Sequence, residues 1–264
     1  MKKKDKLNKS LQNHLELIDK TAQYPKKIND YSFGYLISGI IDEYGEFIEK
    51  KDELWSRYDE LKYINSNSNK KLKKTALKGL LKEAGDVFWY INALFSKVFN
   101  YDSINIENIY KNARKIDAIS DTSIFTNDDI KKLYDQYNID SPGAFIVLSK
   151  LAGISKKYYR DNKCLNDSLI SEMCSYIIAC VFDDTYDLLL EYDEQNNHSY
   201  KKTLKKILKL NSKKLLARHK TNTINGDGDN REESAKANLK NKILEEQAIH
   251  GDNFRSVNTS FELH

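Results

Sequence analysis

Helix-breaking residues are scarce in this chain, which contains only 2 Pro and 10 Gly among 264 residues. Proline removes a helical hydrogen bond and glycine weakens a helix, so a chain poor in both can sustain long helices. No segment shows the well-developed alternation of apolar and polar residues that predicts a strand. The sequence therefore predicts an all-α fold, long enough to bury a sizeable core.

Apolar residues recur at the helical spacing along much of the chain. We predict helices at about 6–23, 31–60, 72–99, 105–117, 142–160, 167–192 and 199–219, and a charged helix at about 232–249. The polar run at 64–71 predicts a loop before the third helix.

The helical pattern starts again after residue 120, which indicates an internal duplication. The matching parts are 34–45 with 143–153, Glu83 with Glu172, and Asn112-x-x-Lys115 with Asn211-x-x-Lys214. We predict a first half at 1–120, a degenerate second half at 121–220, and a Gly/Asp turn with a C-terminal helix and tail at 221–264. The alternative is that two helical hairpins resemble each other only in outline.

The charge is nearly balanced, with 43 basic and 39 acidic residues and a net charge of +4. No recognition motif accompanies the basic run Lys2–Lys4, so nucleic acid is an unlikely partner. The chain begins without an apolar signal segment, and no apolar run approaches the roughly 18 residues that cross a bilayer. We expect a cytoplasmic protein without membrane contact. We interpret its cysteines as buried apolar residues; they are Cys164, Cys174 and Cys180.

Four acidic residues lie on or beside the apolar faces of the second and third predicted helices. Residues three or four positions apart share a helix face. Glu43 therefore falls within an apolar stripe, and Glu46 lies beside it one turn later. Glu83 interrupts a stripe of the next helix, and Asp86 lies beside it. Each of two neighbouring helices thus turns a pair of acids toward its packing side.

Clustered carboxylates on a partly buried face are costly, because desolvation and mutual repulsion both disfavour their charged form. Protonation, pairing with Lys or Arg, or a divalent cation would relieve this cost. Carboxylate oxygens suit Mg²⁺ or Mn²⁺. A metal site at these four acids is one interpretation, and acids solvated on a helix surface are the alternative.

Three segments resemble the MazG-like all-α nucleoside triphosphate pyrophosphohydrolases: 21–25, 39–48 and 83–90. That family carries a Glu-Glu-x-x-Glu motif followed by Glu-x-x-Asp. The first motif here reads Asp42-Glu43-Tyr44-Gly45-Glu46, with Asp42 in place of the first Glu. The second reads Glu83-Ala84-Gly85-Asp86 and fits in full.

The resemblance implies a four-helix-bundle core whose catalytic half is 1–120. It also implies Mg²⁺-dependent hydrolysis of a nucleoside triphosphate, or a deoxynucleoside triphosphate, to the monophosphate and pyrophosphate. Glu43, Glu46, Glu83 and Asp86 would hold Mg²⁺, with Mn²⁺ as a possible substitute. Glu46 and Glu43 are the expected catalytic residues, and Glu46 would help to deprotonate the attacking water.

A basic segment at 211–218 and a turn at 226–231 resemble the C-terminal stretch of the same family. The matching cations are Lys214, Arg218 and Arg231, which are suited to bind triphosphate oxygens. A solvated basic face is the alternative for the first two. Asn112 and Lys115 match the family's Asn-x-x-Lys and are expected to bind the substrate as well.

The basic segment lies far beyond the second acidic motif, whereas it follows closely in the family. Either the domain is duplicated or the first copy received an insertion. Family members pair into helical dimers, so a duplicated chain would be a monomeric pseudo-dimer or a homo-oligomer. Apart from Glu172, its second half lacks the acids, and other residues stand at their positions: Lys150, Leu151, Ile154 and Ser175. The alternatives are a non-catalytic nucleotide- or partner-binding helical protein and a dUTPase-like member of the same superfamily.

Overall fold

A computed structural model describes residues 6–22, 31–57, 67–115, 143–192 and 199–220. Within these ranges the chain forms seven α-helices and no strand, which confirms the prediction of an all-α fold. The helices are α1 Lys6–Thr21, α2 Tyr31–Ser56, α3 Asn67–Lys97, α4 Ser103–Ala113, α5 Gly143–Asp161, α6 Asp167–Tyr192 and α7 Tyr200–Lys220.

Most helix limits agree with the sequence pattern, but the start of α3 does not. Residues 64–71 were expected to form a loop, yet α3 begins at Asn67. Asn and Ser disfavour helix interiors but are favoured at helix starts, so a polar run can open a helix as well as precede one. The helix expected at 232–249 lies outside the described residues.

Two compact units divide the chain, Met1–Ser212 and Lys213–His264. Most of the described residues belong to the first unit, and its core is built on α3 and α6. Seven consecutive residues of α6, from Met173 to Ala179, are buried, as are all of 84–89 and 91–95 in α3. A helix that is buried on every side lies at the centre of a bundle.

Close contacts at two glycines show that α2 and α3 run antiparallel. Gly39, in the first half of α2, leaves the space that the ring of Tyr90 fills. Near the other end, a Cβ atom on Gly79 would lie 3.2 Å from Cε of Lys50. Residue numbers therefore rise along α2 as they fall along α3.

The other helices pack against α2, α3 and α6. Helix α5 packs on α2 and α6, while α6 also packs on α3 and α4, and α1 packs on α3 and α4. Side-chain hydroxyls join helices by donating to carbonyl oxygens: Tyr192 to Leu54 at 2.6 Å, and Ser175 to Ile109 at 3.2 Å. Each hydroxyl reaches a carbonyl oxygen of another helix, so these contacts link α6 to the last turn of α2 and to α4.

The cysteines differ in exposure. Cys174 is buried and Cys180 is half-buried, but Cys164 is exposed, so the prediction that all three are buried was wrong. Cys164 lies in the short connection between α5 and α6, where Asn162 adopts a left-handed φ of 52°. No described helix is both long enough and apolar enough to cross a membrane.

Candidate metal centre

Three glutamates converge where α2 and α3 pack together. Glu43 and Glu46 of α2 and Glu83 of α3 each offer one carboxylate oxygen, and these oxygens all lie within 4.8 Å of one another. Glu43 and Glu83 are half-buried, whereas Glu46 is exposed. Three convergent oxygen donors of this kind suit a hard divalent cation, although exposed acids also gather without one.

Asp86 lies one turn beyond Glu83 on α3 and is only 7% exposed. It does not belong to the group whose oxygens lie within 4.8 Å of one another. The antiparallel register of the two helices places Glu46 level with Glu83, and Glu43 level with Asp86. The fourth predicted acid therefore borders the cluster from its buried side.

Tyr90 lies near the acids, and Tyr35 lies beside Tyr90. Burial, a hydrogen bond with Tyr35 and the charges of Glu43 and Asp86 raise the pKa of Tyr90. The Tyr90 phenol is thus within electrostatic reach of acids on both helices. Its ring centroid lies 6.1 Å from that of Tyr35, which is 47% exposed. Trp89, in contrast, is buried in the core.

A buried hydrogen-bond chain ends on Asp86. Nδ2 of Asn211 donates to Oδ1 of Asp86 at 2.7 Å. Oδ1 of Asn211 lies 2.9 Å from Nε2 of His14, and Nδ1 of His14 lies 3.2 Å from Nδ2 of Asn92. The hydroxyl of Tyr110 donates to Oδ1 of Asn92 at 3.2 Å. The chain joins residues of α7, α1, α3 and α4.

The Asp86 carboxylate determines which group donates and which accepts in each of these hydrogen bonds. A carboxylate only accepts, so Asn211 presents its amide nitrogen to Asp86 and its oxygen to His14. That oxygen needs a proton on Nε2 of His14, which leaves Nδ1 to accept from Asn92. Burial lowers the pKa of His14 from 6.5 to about 4, although the Asn211 bond and the Asp86 charge oppose this. The imidazole is therefore neutral at neutral pH.

Gly85 lets α7 approach α3 at this point. A Cβ atom on Gly85 would lie 2.8 Å from Cβ of Asn211, closer than Cβ contacts occur. The glycine within the Glu83-Ala84-Gly85-Asp86 motif thus allows Asn211 to reach Asp86. Asn211 is completely buried as a result.

The predicted phosphate-binding residues are divided between the two units. Asn112 and Lys115 are exposed at the end of α4, and neither side chain bonds or pairs with another described residue. Lys214 and Arg218 are half-buried in the part of α7 that belongs to the second unit. Arg231 lies outside the described residues. The substrate roles of these five residues stay predictions.

The sequence analysis did not identify His14 and Asn92. Both are completely buried polar residues. A signal was present, because His14 replaces an apolar residue in the α1 stripe that contains Leu7, Leu11 and Ile18. A polar residue within such a stripe indicates that a buried partner exists, but not which one it is.

No protein-family model, curated protein or solved structure matches this chain.

Proposed function

We propose that this chain is a Mg²⁺-dependent nucleoside triphosphate pyrophosphohydrolase of the MazG-like kind. The observation that carries the proposal is the convergence of Glu43, Glu46 and Glu83 within 4.8 Å. These acids come from the two segments that resemble that family's metal-binding motifs.

Each acid has a role that its surroundings suit. The three glutamates would hold Mg²⁺ together with Asp86, and the ion would supply positive charge for the phosphate oxygens and acidify a water molecule. Glu46 is exposed, so its carboxylate can accept the proton of a water that enters from solvent. Hydrolysis cleaves the bridge between the α- and β-phosphates and yields the monophosphate and pyrophosphate.

The neighbouring tyrosines suggest where the base would lie. Tyr35 presents a half-exposed ring on the same helix as Glu43, two turns earlier. Its partner Tyr90 is anchored against Gly39. A base would stack on the accessible face of Tyr35. Its phosphates would then extend toward the acids, because Tyr90 contacts Tyr35 and lies within electrostatic reach of Glu43.

We also propose that the fold is a MazG-like four-helix bundle in which α5 and α6 replace the helices of a partner subunit. Helix α5 packs on α2, and α6 packs on α3, so the second hairpin covers the first. Asn211, which repeats the Asn-x-x-Lys spacing of Asn112, reaches Asp86 of the first half. Duplication would thus leave one active site per chain, completed by both halves.

Pyrophosphate release from a panel of canonical and modified nucleoside triphosphates, including dUTP, tests the proposal. We expect turnover that requires Mg²⁺, stops with a chelator, and is lost in Glu83→Gln. Glu49→Gln is the matched control, because Glu49 is an exposed acid of α2 outside the cluster. The proposal is wrong if Glu83→Gln keeps full activity, or if the native chain binds nucleotides without hydrolysing any of them.

A further inference from the structure

The buried hydrogen bonds from Tyr110 to Asp86 form one continuous chain, and all of them run in the same direction. A neutral imidazole has one donor and one acceptor, and His14 uses both, toward Asn211 and Asn92 respectively. Every donor in the chain therefore points toward the Asp86 carboxylate. Bonds aligned in this way polarise one another, so the last donor, Asn211, is strengthened by those behind it.

The end point of this chain is significant for metal binding. A hydrogen-bond network that served packing alone could end on any buried acceptor. This one ends on the carboxylate of the Glu-x-x-Asp motif, level with Glu43 at the border of the cluster. Groups bonded to a ligating carboxylate set its rotation and its basicity.

We propose that His14 and Asn92 are positioning residues, which act through Asn211 to hold the Asp86 carboxylate in the orientation that binds the metal. This inference rests on the proposed function. It assigns a role to two residues that would touch neither the metal nor the substrate. One of them, His14, would influence metal binding from α1.

Mn²⁺ binding by the full-length protein, measured by calorimetry without nucleotide, tests the inference. His14→Leu interrupts the chain, and we expect it to weaken Mn²⁺ binding about ten-fold. His14→Gln retains an amide N–H that can reach Asn211 and should restore most of the affinity. Asn211→Ala removes the last donor and should weaken Mn²⁺ binding at least as much as His14→Leu. This second variant keeps the test decisive if His14→Leu does not fold.

Leu11→Ala is the matched control, because Leu11 is an equally buried residue of α1 one turn from His14. It should lower stability but leave Mn²⁺ affinity unchanged. In turnover assays, His14→Leu should raise the Mg²⁺ concentration needed for half-maximal activity more than it lowers kcat at saturating Mg²⁺. Nitrogen NMR of the native protein should find the His14 proton on Nε2.

The outcomes separate this inference from the function on which it rests. If the native chain does not bind Mn²⁺, the metal site fails and the inference fails with it. If the native chain binds Mn²⁺ but His14→Leu binds it equally well, or Leu11→Ala loses as much affinity, only the positioning role is overturned. A proton on Nδ1 would also overturn it.

Discussion

Asn211 donates a hydrogen bond to Asp86 across 2.7 Å, although 125 positions separate the two residues in the sequence. The contact exists because Gly85 has no side chain, and a Cβ atom there would lie 2.8 Å from Cβ of Asn211. The opposing atom is attached directly to the α7 backbone, so a side-chain rotation cannot relieve the overlap. The local spacing between α3 and α7 is thus set by the residue before Asp86.

Gly85→Ala should therefore both destabilise the fold and disturb the site. We expect the free energy of unfolding to fall by about 1–3 kcal/mol, as for other overpacked cores. Displacement of Asn211 should also weaken Mn²⁺ binding. Urea denaturation and calorimetry measure the two effects.

Gly153→Ala controls for the change in helix propensity, because nothing lies within 4 Å of a Cβ atom at Gly153 in α5. It should be neutral or stabilising by up to about 1 kcal/mol. Equal stability of the two alanine variants would show that α7 does not pack on Gly85 as described.

The second prediction concerns the pH dependence of stability that His14 causes. The folded protein holds this imidazole with a pKa of about 4, below its ordinary value of 6.5, because the side chain is buried. Between these values the unfolded chain binds more protons than the folded one. The free energy of unfolding should therefore fall as the pH drops through this range, by up to about 1.4 kcal/mol per pH unit. Above pH 6.5 the imidazole is neutral in both states, so His14 should not contribute to the pH dependence of stability there.

His14→Gln cannot take up this proton, so its stability should depend less on pH between 6.5 and 4 than that of the native chain. Urea denaturation of both proteins at several pH values across this range gives the comparison. Parallel profiles would mean that His14 titrates normally and is not enclosed as the structure describes.

Local patterns were sufficient to predict most of the helices and the acidic cluster. The limits of α6 agree with the sequence pattern because a long apolar segment lies between a polar start at Asp167 and the polar run at 193–198. Glu43, Glu46 and Glu83 could be found because motif spacing on a helix fixes the face on which a side chain lies.

Contacts between distant segments could not be predicted in this way. His14 and Asn92 each stood out at most as a polar residue in an apolar pattern. The hydrogen bonds that join Asn92 to His14, and His14 to Asn211, form only when α1, α3 and α7 are assembled. The start of α3 was missed for a different reason, since Asn and Ser occur both in loops and at helix starts.

Charge repulsion within the cluster leads to the third prediction. Two carboxylates about 4 Å apart repel by about 1 kcal/mol even in water. Without divalent ions, Glu83→Gln removes the repulsion from Glu43 and Glu46 but also changes the other contacts of the Glu83 side chain. The free energy of unfolding should therefore change by no more than about 1 kcal/mol. Glu49→Gln, outside the cluster, should have little effect.

Added Mn²⁺ should separate the stabilities of these proteins. A ligand that binds only the folded state adds about 2.7 kcal/mol at one hundred times its Kd. The native chain and Glu49→Gln should gain this stabilisation, while Glu83→Gln should gain less. Thermal denaturation with and without Mn²⁺ measures it. Equal stabilisation of Glu83→Gln and the native chain by Mn²⁺ would show that Glu83 does not hold the metal.

The last prediction concerns the exposed ring of Tyr35. If the base stacks on this ring, Tyr35→Ala removes a contact that forms when the substrate binds and persists during hydrolysis. Stacking of a base on an aromatic side chain contributes about 1–3 kcal/mol. We therefore expect KM for the nucleotide to rise about five-fold or more while kcat changes little, because uniform binding affects KM alone. Trp55→Ala is the control, since Trp55 is similarly exposed at the far end of α2. An unchanged KM for Tyr35→Ala, or an equal rise for Trp55→Ala, would place the base elsewhere.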